Sequence, residues 1–326
     1  MTRIMPRMLR LAALAAFALV GAVPSAQAED YPARPVRIIV GFGPGASADL
    51  TARVLANRMS QIAGQQFVVE NKPGAGSSLA AEFVGRAPKD GYTLLLGTSA
   101  NLTNAVITPN LSFDFVKDFA PITIATTLPV ILAVHPSLGV NNVQELIALA
   151  KAKPGEILYA STGVGTAPHL AAEMFNMRAG IKTVHVPYQG SPQAVTDLIA
   201  GRTGMMFSPA SSVMAHIAAG TLKGLASAAA KRPGIAPMLP TMAEAGMPDF
   251  DTSIWFGVMA PAGTPRPVID MLARTINQAL AADDIRASLK TQGFDALGGS
   301  PEDFARTIAN DAARWTAVAT AAGLKK

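Results

Sequence analysis

The sequence predicts an α/β protein of two similar lobes, each a mostly parallel sheet flanked by helices, with two chain crossings between them. Three observations lead there. Short runs rich in β-branched residues alternate with stretches of helical apolar spacing. The alternation occurs twice, over 36–101 and again over 142–212, with a β-rich interval at 119–135 between. The turns that follow the strands are small and polar, as the ligand-binding edge of a parallel sheet requires.

The first element sets the plan. Val36, Ile38, Ile39 and Val40 form a buried strand, and Leu50, Val54 and Leu55 recur at helical spacing; the period switches inside Gly41-Phe-Gly-Pro-Gly45. Glycine permits positive φ and close approach of a ligand, and the N–H groups opening the helix point into the space above the turn. A strand at 66–70, the turn Asn71-Lys-Pro-Gly-Ala-Gly76, a helix through Arg86, a strand at 92–96 and the turn Gly97-Thr-Ser-Ala-Asn101 complete the first series. Two β-rich runs, 122–126 and 130–134, flank Pro129 and read as a crossing. The second series comprises a helix at 142–151, a strand at 157–160, the turn Ser161-Thr-Gly-Val-Gly-Thr166 and a helix at 168–177. A strand at 183–186, the turn Pro187-Tyr-Gln-Gly190, a helix through Ile199, a strand at 205–207, the turn Ser208-Pro-Ala-Ser-Ser212 and a strand at 223–227 follow. The proline-rich connection 233–248 carries a short helix at 241–245, the strand 253–260 returns the chain, a long helix runs to about Ala281, and Ser300-Pro-Glu-Asp303 caps a last helix to Thr320. The expected lobes are 29–127 with 251–326, and 128–250.

Composition excludes several classes. With 326 residues, 50% hydrophobic and 15% charged, the chain can fill two cores. Residues 1–28 read as a secretory signal peptide: Arg3, Arg7 and Arg10, then an apolar 11–23, then Ala26-Gln-Ala28. The apolar run is too short to span a bilayer. Three arginines behind the formal +5 lie there without an acid, which leaves +2 for the remainder. So small a charge, with no basic run interleaved with aromatics, does not point to nucleic acid. Cysteine is absent, which removes disulfides, thiolate metal sites and a lipid-anchored cysteine. A soluble periplasmic protein, acting as a monomer without cofactor or metal, is expected.

The turns at Phe42, Gly43, Pro44, Gly45, Ala46 and Ser47 and at Ser161, Gly163, Gly165 and Thr166 repeat one device: a strand, small residues, a helix start. Each is suited to an anion, and neither holds a lysine or arginine. A carboxylate would therefore be bound by backbone N–H groups and by hydroxyls of Ser47, Thr98, Ser99, Ser161 and Thr166. Ala100, Asn101, His169, Pro187, Tyr188, Gln189, Ser208 and Pro209 complete the candidate set from the other turns. Asp49 is expected to accept hydrogen bonds from its own turn, since facing a ligand it would repel an anion. For His169, donation to a ligand and a tie between helix and turn are both open; His185 reads as structural. Tyr188 either walls the ligand or covers the hinge. Trp255 is placed to sense closure, and Trp315 to pack.

These motifs resemble the Bug or TctC-like extracytoplasmic solute receptors of tripartite tricarboxylate transporters. Across nearly the whole chain after the leader, the resemblance rests on Tyr31-Pro-x-Arg-Pro35, Gly43-Pro-Gly45 with Asp49 and Ala52-Arg53, Asn71-Lys-Pro-Gly-Ala-Gly76, Asp90-Gly-Tyr-Thr-Leu94, Ser161-x-Gly-x-Gly-Thr166, His169-Leu170, His185-Val-Pro-Tyr188 and Ala260-Pro-x-Gly-Thr-Pro265. It implies two α/β lobes closing like a Venus flytrap, the periplasmic-binding-protein fold. It also implies a small organic-acid ligand, often held through waters at the first turn, and handover to membrane permease subunits. Similar members usually carry glycine where Ala46 stands and lysine or arginine where Gln189 stands. The loss of that cation admits mono-acids and aromatic acids as ligands.

Enzyme readings find less support. Gly41-x-Gly-x-Gly45 lacks the dinucleotide-binding spacing, no G-x-S-x-G elbow surrounds Ser161, and the histidines are not spaced as metal ligands. The competing class is a secreted hydrolase of a small carboxylic ester or amide, which turnover would reveal.

Overall fold

The chain leaves the first sheet once, through Pro129, and returns once, at 254–261, and these two crossings set the directions of the strands. The computed structural model describes residues 31–108 and 111–324; the expected signal peptide lies outside them. From residue 34 onward the described residues make one compact unit.

The first sheet holds β1 (Val36–Val40), β2 (Phe67–Asn71), β3 (Thr93–Thr98), β4 (Phe119–Leu128), β10 (Ile254–Pro261) and β11 (Asp295–Ala296), in the order β11-β4-β10-β3-β1-β2. The second holds β5 (Val130–Val134), β6 (Leu158–Ser161), β7 (Val184–Pro187), β8 (Met205–Pro209) and β9 (Lys223–Ser227), in the order β7-β6-β8-β5-β9. In each, three strands are parallel: β2-β1-β3 and β7-β6-β8. The connecting strands run against them. β10 is antiparallel to both β3 and β4, and β5 to both β8 and β9, because a strand arriving from the other sheet enters from the opposite end.

Helices cover both sheets: α1 (Ser47–Ala63), α2 (Ser78–Gly85), α3 (Ser99–Ile107), α4 (Val143–Ala152), α5 (Ala167–Ala179), α6 (Ser191–Ile199), α7 (Ala210–Ala218), α8 (Arg266–Ala281), α9 (Asp283–Thr291) and α10 (Pro301–Ala321). β5 shows how the core is divided. Val130, Leu132 and Val134 enter one apolar cluster and Ile131 and Ala133 another, the two-residue alternation of a strand buried on both faces. Among the described residues no helix is long and apolar enough to cross a membrane.

Several local expectations change. Thr98 ends β3 and α3 begins at once, where the sequence suggests a turn through Asn101; likewise α7 occupies most of 208–212. The stretch 241–245 makes a single turn, closed by Ala245 N–H to the Thr241 carbonyl, and not a regular helix. α9 and β11 carry no clear periodic signal. α10 begins where expected: Ser300 Oγ accepts from Asp303 N–H at 3.1 Å and the Asp303 carboxylate accepts from Ser300 N–H at 3.1 Å, a reciprocal cap.

Candidate functional site

The two glycine turns correspond in sequence at a spacing of 120. Gly43-Pro-Gly-Ala-Ser-Ala-Asp-Leu50 corresponds to Gly163-Val-Gly-Thr-Ala-Pro-His-Leu170. Gly45 and Gly165 have φ of 81° and 76°, the left-handed region open to glycine. Ala46 N–H donates to the Gly43 carbonyl and Thr166 N–H to that of Gly163, at 3.2 and 3.3 Å. Ala46 and Thr166 then sit in extended backbone as the N-caps of α1 and α5, and neither makes a side-chain cap bond. The first-turn N–H groups are thus left for another partner. Thr166 could cap, but its Oγ1 donates instead to the Gly163 carbonyl at 2.7 Å.

Each turn is held from behind by the residue four positions past its central glycine. Gly45 N–H donates to Asp49 Oδ2 at 2.9 Å, and Gly165 N–H to His169 Nδ1 at 2.9 Å. Asp49 is nearly buried; its Oδ1 accepts from Asn71 Nδ2 at 2.8 Å, whose amide also reaches the Phe42 carbonyl at 2.9 Å, and Arg53 Nε donates to Oδ2 at 2.9 Å. Burial works to raise the Asp49 carboxyl, but the Arg53, Gly45 and Asn71 hydrogen bonds outweigh it and hold it below the usual carboxylate range. Asp49 therefore stays charged as a brace. Burial lowers His169 to about 4, so its neutral ring keeps Nδ1 as an acceptor. His169 stacks on His185 at 3.9 Å and His185 on Tyr159 at 4.8 Å. His185 Nε2 lies 2.6 Å from Ser161 Oγ; burial, then the neighbouring His169, lowers it to about 4 as well.

A cavity of about 270 Å³ opens between the sheets, lined by Phe42, Ala46, Ser47, Ala48, Thr98, Ser99, Ala100, Leu128, Thr162, Thr166, Ala167, Pro168, Pro209, Ile254 and Phe256. Its lining brings together Phe42, Ala46, Ser47, Thr98, Ser99, Ala100, Thr166 and Pro209 from the sequence candidates. The others stand behind it. Gly43, Pro44 and Gly45 shape the first turn, Gly163 the second, and Gly165 lines a neighbouring recess together with Ala100 and Thr166. Asn101 is buried beneath the start of α3, accepting from Thr98 N–H at 3.0 Å and donating to the Ser77 carbonyl at 3.1 Å. Ser161 and Ser208 are fully buried. Pro187 pairs with Ser161, Tyr188 Oη donates to Asp197 Oδ2 at 2.7 Å, and Gln189 follows outside the lining.

Sequence reasoning missed Ala48, Ala167, Pro168, Leu128, Ile254 and Phe256, and placed Thr162 within the second turn without singling it out. The first three follow directly on the N-caps and were within reach of that logic. Leu128, Ile254 and Phe256 form the floor, where Ile254 pairs with Leu128 and Phe256 with Thr98; only the insertion of β10 between β3 and β4 brings them there. Trp255 faces the other way, its Nε1–H donating to Asp311 Oδ2 at 2.9 Å and its ring edge-on to Phe304, so it anchors α10.

Two lobes with opposed, uncapped helix N-termini at an intervening cavity define a solute-binding protein. The TctC family model, described as tripartite tricarboxylate transporter family receptor, matches residues 51–324. Protein BugT of Bordetella pertussis is 36% identical over 310 residues, covering 94% of this chain and 95% of BugT. Among solved structures, R. palustris Rpa4515 with adipate is 35% identical with a TM-score of 0.76, covering 90% of this chain and 99% of that one. MatC from Rhodopseudomonas palustris with bound malate is 28% identical with a TM-score of 0.73, covering 88% and 99%. The chain belongs to the Bug/TctC family of tripartite tricarboxylate transporter receptors.

Proposed function

We propose that this chain is an exported periplasmic receptor that binds a small organic carboxylate in the cavity and delivers it to the permease subunits of a tripartite tricarboxylate transporter. Its lobes are then 29–127 with 251–326, and 128–250, and residues 1–28 are removed on export. The observation that carries the reading is the pair of uncapped N-termini, α1 and α5, contributing Ser47, Ala48 and Ala167 to one cavity. Oriented N–H groups and the positive ends of two helices favour an anion without a buried cation. The carboxylates bound by Rpa4515 and MatC agree with this chemistry.

The receptor acts as a monomer and without catalysis. Among the described residues two serine–histidine pairs lie at hydrogen-bond distance, Ser161 with His185 and Ser137 with His135; Ser161 is fully buried and all four residues are outside the cavity lining, which favours binding over ester or amide turnover. A thermal-shift screen of mono-, di- and tricarboxylates against the mature protein tests the proposal. A ligand at a hundred times its Kd should stabilise by about 2.7 kcal/mol, a rise of several °C in Tm. No rise with any carboxylate, or a rise with neutral sugars alone, would sink it.

A further inference from the structure

Although the two turns correspond, the two helix ends they present to the cavity are chemically unequal. At the α1 end, Ser47 and Ala48 both keep an N–H and Ser47 adds a hydroxyl. Beside them Ser99, 2% exposed, lines the cavity with an Oγ that has no hydrogen-bond partner. At the α5 end the second helical position is Pro168, which has no N–H to give, and the Thr166 hydroxyl proton is taken by the Gly163 carbonyl. The floor between them is Leu128, Ile254, Phe256 and Pro209. Among the described residues no lysine, arginine or histidine lines the cavity, and the Arg53 guanidinium is tied to Asp49 and Asn71.

Resting on the reading above, we infer that the ligand is a monocarboxylate with an aliphatic or aromatic body. Its carboxylate seats on the α1 end with Ser47 and Ser99, and its body lies over the apolar floor. A second carboxylate would be stripped of water against carbon and proline with no cation to meet it, a loss that the attraction of one weakened helix end does not offset. Thr162 and Thr166 leave room at that end for a neutral polar substituent. The volume, near the small end of ligand pockets, suits a compact body.

Titration calorimetry on the mature protein with matched pairs separates the possibilities: hexanoate against adipate, benzoate against terephthalate, and malate as a compact diacid. A monoacid should bind at least about tenfold tighter than the diacid of its own skeleton, the direction set by the uncompensated burial of the second charge. Equal or tighter binding of adipate, terephthalate or malate overturns the inference while leaving the receptor reading intact. Absence of binding by every acid defeats both. Ser99→Ala should weaken the monoacid about tenfold with the unliganded Tm unchanged, as loss of a hydrogen bond to a charged group does; an unaltered affinity would remove the carboxylate from that seat.

Discussion

Gly45 and Gly165 occupy the same place in their turns, yet an added methyl group meets different surroundings. Nothing lies within 4 Å of a Cβ built on Gly45, whereas one on Gly165 would fall 1.9 Å from the Ile107 δ-methyl of α3. Alanine at either position should cost roughly 1–2 kcal/mol for the left-handed backbone, read by urea unfolding. Gly165→Ala must also displace a side chain that belongs to the other lobe, so ligand affinity should fall further for it than for Gly45→Ala. Asp49→Ala leaves the Gly45 N–H without its acceptor and the Asn71 amide with only the Phe42 carbonyl; a loss of about 1–3 kcal/mol is expected, with weaker binding as the turn loosens. The stacked histidines give a pH dependence of definite sign. Both are held near 4 by burial, against an ordinary 6.5. Between those values the unfolded chain binds more protons than the folded one, so their contribution is full above about pH 6.5 and is lost as pH falls toward 4. His185→Gln should flatten the stability profile over that interval; an unchanged slope would show that His185 does not titrate with folding.

At the scale of elements, the two helix starts forgo a side-chain cap, which on the proposed reading keeps their N–H groups open to an anion. Ala46 is a poor N-cap and Thr166 a good one turned elsewhere. Ala46→Ser should let α1 cap itself, raising stability by about 0.5–1 kcal/mol, while the new hydroxyl competes for the N–H groups the ligand uses and weakens its binding. A Tm and a Kd that both improve would contradict that assignment. By contrast α10 is fully capped, and Ser300→Ala should cost about 1 kcal/mol without touching affinity. The same contrast explains which helices were legible. α1, α5 and α10 announce themselves by apolar period, glycine turns or a capping box. α3 and α7 start at the residue that directly follows their strands, with no intervening turn to mark them; α3 forms because Thr98 and Asn101 cap it and α10 packs on it. Tertiary contact outweighs weak local preference.

For the molecule as a whole, the chain passes from β4 to β5 through Pro129 and returns through β10, and these crossings lie under the cavity floor. Closure about them should shrink the radius of gyration when a bound acid bridges the lobes, a change that X-ray scattering with and without ligand measures; identical scattering in a saturated sample would exclude closure on binding. By itself the sequence determined the α/β class, the twofold recurrence of the strand-turn-helix unit, the glycine positions and the helix starts that follow them, because each is encoded within a few neighbouring residues. Tertiary structure alone decided that β10 and β5 run against the parallel strands, that Leu128, Ile254 and Phe256 meet beneath the ligand space, and that Ser161, Tyr188 and Asn101 turn away from it. Those outcomes depend on which distant strands become neighbours, and pairing between strands so far apart in sequence leaves no periodic trace in either partner.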